Sequence, residues 1–185
     1  PRFIYMRNPR RLGIQQNLNL GVRFARAPYI APLDGDDLWC DAGKLAQQAS
    51  FLDTNPDAVL VSGGFVMIDA VSKQVLTSFS DAWFNADEIR TRLLMENIIP
   101  HSAACYRREA FLTAGGYNSY FKVTGDYDLW LRLALMGTLH KTADIHLHHR
   151  MHRNNFSLVK HKRKVWEELQ LIRRYRRHYP HGGAA

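Results

Sequence analysis

The stretch Tyr29-Ile30-Ala31-Pro32-Leu33-Asp34-Gly35-Asp36-Asp37-Leu38-Trp39 decides how this chain is read. A short apolar run ends in Asp34, Asp36 and Asp37, carboxylates that repel one another when ionised. A surface turn rarely gathers such groups for stability. A hard divalent cation resolves the conflict, because Mg2+ and Mn2+ favour oxygen ligands. Magnesium commonly takes one or two protein carboxylates and completes its shell with water and substrate phosphates. Gly35 lets the backbone approach a bulky ligand closely. The same residues also read as an acidic surface turn in which Asp37 caps a helix. Pro32 is awkward inside a central strand, so the preceding run is expected to be short.

Working outward, apolar and polar residues alternate in blocks of helical and strand-like period. Ile14, Leu18, Val22 and Ala25 fall at helical spacing before Ala27-Pro28. Residues 3–6 read as a short buried strand. After the acidic cluster, 44–52 predicts a helix, 58–67 a valine-rich strand and 75–79 a returning hairpin strand. Helices are expected over 86–97, 108–114 and 126–136, the second ended by Gly115-Gly116. Strands are expected over 102–106 and within 140–150, and a long basic helix over 158–179. Strands alternating with helices imply an α/β sandwich with a mostly parallel central sheet. In such sheets ligands sit outside the carboxyl ends of strands, which is where the acidic cluster falls.

The bulk numbers are compatible with this. A chain of 185 residues can bury one sizeable core, and 46% hydrophobic residues is ordinary for a globular protein. No run reaches the roughly 18 apolar residues of a membrane span, and the first residues do not read as a secretory leader. Cys40 and Cys105 are too few for a disulfide framework and read as reduced thiols, hence a cytoplasmic setting. The net charge of +8 favours acidic partners such as phosphates or anionic surfaces. Its excess is concentrated in 160–178, where Lys160, Lys162, Arg163, Lys164, Arg173, Arg174, Arg176 and Arg177 face only Glu167 and Glu168. The expected organisation is therefore a body over 1–157 and a basic helix and tail over 158–185. The helix is expected to pack on the body with its charges solvated; the other reading is that it lies on an anionic membrane.

Several segments, in order, resemble family 2 glycosyltransferases of the GT-A fold. They are Asn19-Leu20-Gly21, then Tyr29-Ile30 running into Leu33-Asp34-Gly35-Asp36-Asp37, and Asn55-Pro56-Asp57. After them come Gly115-Gly116-Tyr117, Gly125-Asp126-Tyr127-Asp128-Leu129-Trp130-Leu131-Arg132 and Arg150-Met151-His152. Each is weak alone; their order and spacing carry the resemblance, which covers about residues 3–157. It implies transfer of a sugar from a nucleotide-diphosphate sugar to an acceptor hydroxyl, with inversion, in cell-surface polysaccharide or glycan synthesis.

By that resemblance, Asp34, Asp36 and His152 belong to a Mn2+ or Mg2+ site. Asn19, Asp34, Asp36, Asp37 and Arg150 belong to the donor, and Asp126 is the general base. His101 and Asp128 are assigned to the acceptor side. Asp126 could equally cap its helix while Asp128 and Arg132 form an i,i+4 pair. The many neighbouring histidines let His152 read as part of a solvated strand edge.

Two departures bear on these assignments. Asn17-Leu18-Asn19 stands where relatives often carry Ala-Arg-Asn, and Gly125 replaces an acidic residue. The family's first nucleotide-binding strands are expected before Phe3, so this piece alone is expected to bind donor weakly. The partners implied are a nucleotide-sugar donor and a glycan or lipid-linked acceptor, with peripheral membrane contact through the basic helix and no nucleic acid. The rival readings are a non-catalytic transferase remnant acting as a binding module, a nucleic-acid binder and a nucleotidylyltransferase. The last two lack, respectively, an aromatic nucleic-acid platform and a glycine-rich phosphate loop.

Overall fold

A computed structural model describes residues 3–80 and 86–179. In chain order the elements are α1 (Ile14–Phe24), β1 (Tyr29–Ile30), β2 (Leu38–Trp39), α2 (Lys44–Thr54), β3 (Ala58–Asp69), β4 (Val75–Phe79), α3 (Ala86–Met95), β5 (Ala104–Arg107), α4 (Arg108–Thr113), α5 (Gly125–Leu133), β6 (Thr138–Met151), α6 (Phe156–Val159) and α7 (His161–Tyr175). The sheet runs β1-β5-β3-β6-β2, with β4 paired to the outer half of β3.

The α/β class holds, but the expectation of a mostly parallel sheet does not. Only β3 and β6 run parallel; the pairs β1/β5, β2/β6, β3/β4 and β3/β5 are antiparallel. Alternation of helix and strand along a sequence marks the layers and leaves strand direction open. Here the hairpin from β3 into β4 reverses the chain, and β5, reached through α3, keeps that reversed direction beside β3. Residues 3–6 also depart from expectation. They form no strand, and Phe3, Ile4 and Tyr5 are exposed. An apolar run becomes a strand only where a neighbour takes its hydrogen bonds, and none of the described strands pairs with it. The stretch 140–150 is one long strand, and the C-terminal basic segment divides into α6 and α7 with a break at Lys160.

The long parallel pair is the spine. β3 is buried through its first seven residues, Ala58 to Gly64, as expected for a strand covered on both faces. Close approach to β6 explains Gly63: a Cβ there would lie 2.2 Å from His146 Nδ1 and 2.7 Å from the Asp144 carbonyl oxygen. The β3/β6 register shifts beside it. The main core is built on this spine from Leu60, Tyr106, Trp130, Leu131, Leu139 and Leu171. Trp130 Nε1 donates to the Ile99 carbonyl, which satisfies the indole while it is buried.

Helix α7 closes the fold by an interaction with no apolar counterpart. Its Glu167 side chain is 0% exposed. The carboxylate accepts the backbone N–H groups of Lys122, Val123 and Thr124 and the Thr124 hydroxyl, at 2.9–3.1 Å. Arg163, one turn earlier, donates to it at 2.6 Å. Those N–H groups precede α5, whose Thr124 N-cap makes no side-chain cap of its own. A distant carboxylate thus holds the turn that leads into α5, whose first turn carries Asp126, and places negative charge near that helix's N-terminus. Burial pushes the Glu167 carboxyl up, but Arg163 and the three backbone donors outweigh it and hold it below its ordinary value.

Two outcomes follow. Glu167→Gln should cost roughly 2–3 kcal/mol, because charge-assisted hydrogen bonds to a buried acceptor are lost, read as a fall in the midpoint of urea unfolding. A folded-state pKa below the unfolded one adds stability that is present above the unfolded value and lost as pH falls. Stability should therefore decline below the ordinary glutamate value of 4.5, and Glu167→Gln should remove part of that slope.

Candidate active site

The loop after β1 carries Asp34 to Asp37 under one end of the sheet, and its three carboxylates meet different fates. Asp37 is buried and fully engaged. Ser102 Oγ donates to its Oδ2 at 2.6 Å, His149 Nδ1 lies 2.8 Å from its Oδ1, and the Arg150 backbone N–H donates to the same oxygen at 3.3 Å. Asp34 and Asp36 stay partly open, with side chains 43% and 42% exposed. The loop itself is tied by Ser102 Oγ, which accepts the Asp34 N–H at 3.1 Å. It is tied again by the Arg150 guanidinium, which donates to the carbonyls of Asp36 and Gly35. Trp39 Nε1 donates to the Ser102 carbonyl at 2.8 Å, fixing Ser102 in turn.

His101 links this loop to the interior. Its Nδ1 sits 3.1 Å from Asp34 Oδ1 and its Nε2 2.8 Å from the Tyr117 hydroxyl, which is 3.0 Å from the Tyr106 hydroxyl. Burial disfavours charge on both His101 and Asp34. Their mutual hydrogen bond prevails, holding Asp34 below and His101 above the ordinary values. Burial and the Tyr106 hydroxyl push Tyr117 well up, so it stays a neutral phenol. His152 Nε2 lies 3.2 Å from Asp36 Oδ2, and Asn155 fixes the turn that carries it.

Asp126 stands in the first turn of α5, on the other wall of the same cleft. The cleft holds about 800 Å³, within the range of small-ligand sites. Asp34, Asp36, His101, Tyr117 and Asp126 all line it. Asn97 Nδ2 donates to Asp126 Oδ2 at 2.9 Å. Burial raises the Asp126 carboxyl above its ordinary value, against the opposing charge of His101 and the hydrogen bonds from the Tyr127 backbone and Asn97.

The sequence-expected residues therefore divide. Asp34, Asp36, Asp37, His101 and Asp126 line the cleft, and His152 sits beside Asp36. Asp37, though it borders the cleft, is buried and bonded to Ser102 and His149, and Arg150 holds the loop through its carbonyls. Asn19, expected at the donor, has its amide on a neighbour's backbone: Nδ2 donates to the Tyr117 carbonyl at 2.9 Å and Oδ1 accepts the Tyr117 N–H at 2.8 Å. Gly116 makes this clamp feasible, since its φ is +74° and a Cβ would lie 2.6 Å from Asn19 Oδ1. Asp128, expected at the acceptor, is turned away from the cleft. It is 1% exposed, pairs with Arg132 at 2.6 Å and accepts from the Tyr175 hydroxyl at 3.2 Å. The helical period explains this, because residues two apart on a helix point to different sides. Ser102, Tyr117, His149 and Asn97 were missed. Only tertiary contact brings them to the site, Ser102 and His149 at the acidic loop, Tyr117 at His101 and Asn97 at Asp126, and no spacing rule announces it.

Ser102→Ala should leave the buried Asp37 carboxylate short of a donor and free the Asp34 N–H. The expected cost is about 1–3 kcal/mol, measured by chemical denaturation, with faster amide hydrogen exchange confined to residues 34–38.

The profile of "Glycosyltransferase like family 2" matches residues 4–175. A Mycobacterium bovis PGL/p-HBAD biosynthesis glycosyltransferase is 32% identical over 120 residues, covering 65% of this chain and 43% of its own. A Methanocaldococcus jannaschii glycosyltransferase is 28% identical over 131 residues, covering 71% and 44%. This chain thus spans less than half the length of these relatives. Among solved structures, S. aureus TarS 1-349 in complex with UDP-GlcNAc superposes with a TM-score of 0.64 at 14% identity, covering 86% of this chain and 46% of that one. The structural likeness bears out the GT-A fold expected from the sequence. The family match spans the acidic loop, α5 and all of α7, and the chain belongs to glycosyltransferase family 2.

Proposed function

We propose that this chain carries the catalytic part of a transferase that moves a sugar from a nucleoside-diphosphate sugar to an acceptor hydroxyl, with inversion. One observation carries the reading: two partly exposed carboxylates, Asp34 and Asp36, share a cleft with a third, Asp126, whose pKa burial raises. The first pair suits a cation and diphosphate, and the third suits a proton acceptor. That TarS was crystallised with UDP and with UDP-GlcNAc supports a nucleotide-sugar donor of this kind.

The donor set fits Mn2+ or Mg2+. Among the described residues no three His, Cys, Asp or Glu side chains converge into a protein cage. Such a cage is not required, because these ions take one or two carboxylates and complete their shell with phosphate oxygens and water. Asp36 and Asp34 would hold the ion, with His152 beside Asp36. When bound, it would neutralise charge on the departing diphosphate.

The chain's own residues would do the rest. Asp126, ionised, accepts the proton of the acceptor hydroxyl as its oxygen bonds to the anomeric carbon. The bond to the diphosphate oxygen breaks on the opposite face, and that oxygen keeps the electron pair. A base whose pKa is raised toward working pH transfers protons more effectively than an ordinary aspartate. Asn97 orients the Asp126 carboxylate. His101 keeps Asp34 aimed into the cleft, while Tyr117, held by Asn19, keeps His101 aimed at Asp34. A role in assembling glycans or glycolipids is supported by the M. bovis relative, whose name places it in PGL/p-HBAD biosynthesis. A binding module without chemistry is the alternative; it leaves the raised carboxyl of Asp126 without a use.

Transfer should be assayed in the full-length gene product with a panel of nucleoside-diphosphate sugars and Mn2+. Asp126→Asn should lower kcat by about 10²–10⁴ with little change in donor KM. Asp36→Ala should weaken donor binding and abolish its dependence on Mn2+. Full activity in either variant would remove that residue's assigned part. The base acts ionised and its pKa is raised, so kcat should climb with pH along an acid limb lying above the ordinary aspartate value of 3.8, and Asp126→Asn should erase that limb.

A further inference from the structure

Helix α7 has two apolar sides, and the core uses only one. Glu167, Leu171 and Tyr175 face inward and are buried. On the opposite side, Val165, Trp166 and Leu169 are 41%, 49% and 51% exposed. With 3.6 residues per turn, Lys162, Val165, Trp166, Leu169 and Arg173 fall on one stripe, directly opposite the buried one. Both cations of that stripe are exposed, as is Lys160 just before the helix. The acids of α7 are withdrawn from it: Glu167 is buried and Glu168 pairs with Lys164 at 3.5 Å.

The patch extends beyond the helix. Tyr120, 6.3 Å from the Trp166 ring, is exposed, and so are Phe156, Leu158 and Val159 on α6. An apolar stripe with an indole, bordered by cations and free of exposed acids, is the composition that settles into the headgroup region of an anionic bilayer. A protein partner would be under no such demand for cations on both borders.

We propose that the outward face of α6 and α7, centred on Val165, Trp166 and Leu169, docks this protein on an anionic lipid surface. Phe156, exposed on α6 within this face, also lines the cleft that holds Asp126. The docked face and the cleft mouth are therefore continuous, and an acceptor anchored in that surface would present its headgroup to the cleft. This last step rests on the transferase reading; the docking does not.

The test is sedimentation of the 185-residue chain with vesicles of phosphatidylglycerol in phosphatidylcholine, alongside pure phosphatidylcholine vesicles, with tryptophan emission recorded in parallel. Binding to the anionic vesicles only, with a blue shift in emission, is expected. The triple variant Val165→Ser, Trp166→Ser, Leu169→Ser should bind at least roughly tenfold more weakly, since apolar insertion and charge act together in such helices. All three positions are exposed, so its circular dichroism and melting temperature should match the parent's. Absence of binding to anionic vesicles would overturn the proposal. So would undiminished binding by the triple variant, which would reduce the interaction to charge alone. Self-association abolished by the triple variant, without vesicle binding, would assign the face to a second copy of the chain and overturn it as well. None of these readouts requires catalysis, so failure here leaves the transferase reading standing.

Discussion

The buried carboxylate of Asp37 is the constraint on which the acidic loop depends. A charge taken out of water must be met by donors or it unfolds its surroundings. Here the donors come from distant parts of the chain: Ser102 after α3, and His149 with the Arg150 backbone at the end of β6. Meeting that demand pulls three segments together at one end of the sheet. Asp34 and Asp36, on either side of Gly35, are then left partly open. The loop thus buries one carboxylate among donors and leaves two partly exposed in the cleft, which is how three like charges coexist within four residues.

A second buried carboxylate does the same on the other wall. Glu167 gathers the N–H groups ahead of α5 and so fixes the turn from which Asp126 projects. Between the two walls lies a chain of polar contacts running from Asn19 through Tyr117 and His101 to Asp34. Chains of this kind strengthen in a low-dielectric interior and hold a single geometry when every member is satisfied. The open groups of the cleft are therefore mounted on closed ones, and their positions are set by residues that need never touch a substrate.

The C-terminal helix has two unlike faces. Its inward side completes the core through Leu171 and Tyr175, with Tyr179 just beyond it, and its acid holds the turn ahead of α5. The solvated charges expected from the sequence are there, but so is an outward apolar stripe. Helical spacing could reveal that α7 is amphipathic. It could not reveal that Val165, Trp166 and Leu169 lie opposite Leu171 and Tyr175 with only the latter covered, because burial is a property of the neighbours.

Much of the site was legible because its chemistry is local. Three aspartates around Gly35 announce a charge problem, and Asp126 at the start of an amphipathic helix announces a placed carboxylate. The ordered motifs around them carry the family. The rest was settled by contacts across 60 to 115 residues of chain, which no spacing rule encodes. They assigned Asp37 and Arg150 to the loop's framework and gave Asn19 to Tyr117, whereas the Asp128–Arg132 pair, four residues apart, is the contact that helical spacing had offered. They also brought in Ser102, Tyr117 and His149 unannounced. Strand direction belongs with them, since a hydrophobic period fixes which face is buried and says nothing about which way the neighbour runs. By itself, then, the sequence determined which residues carry charge and which segments pack. Only the tertiary structure decided which charges are spent on holding the fold and which remain for a substrate, because a carboxylate's role depends on the donors that reach it.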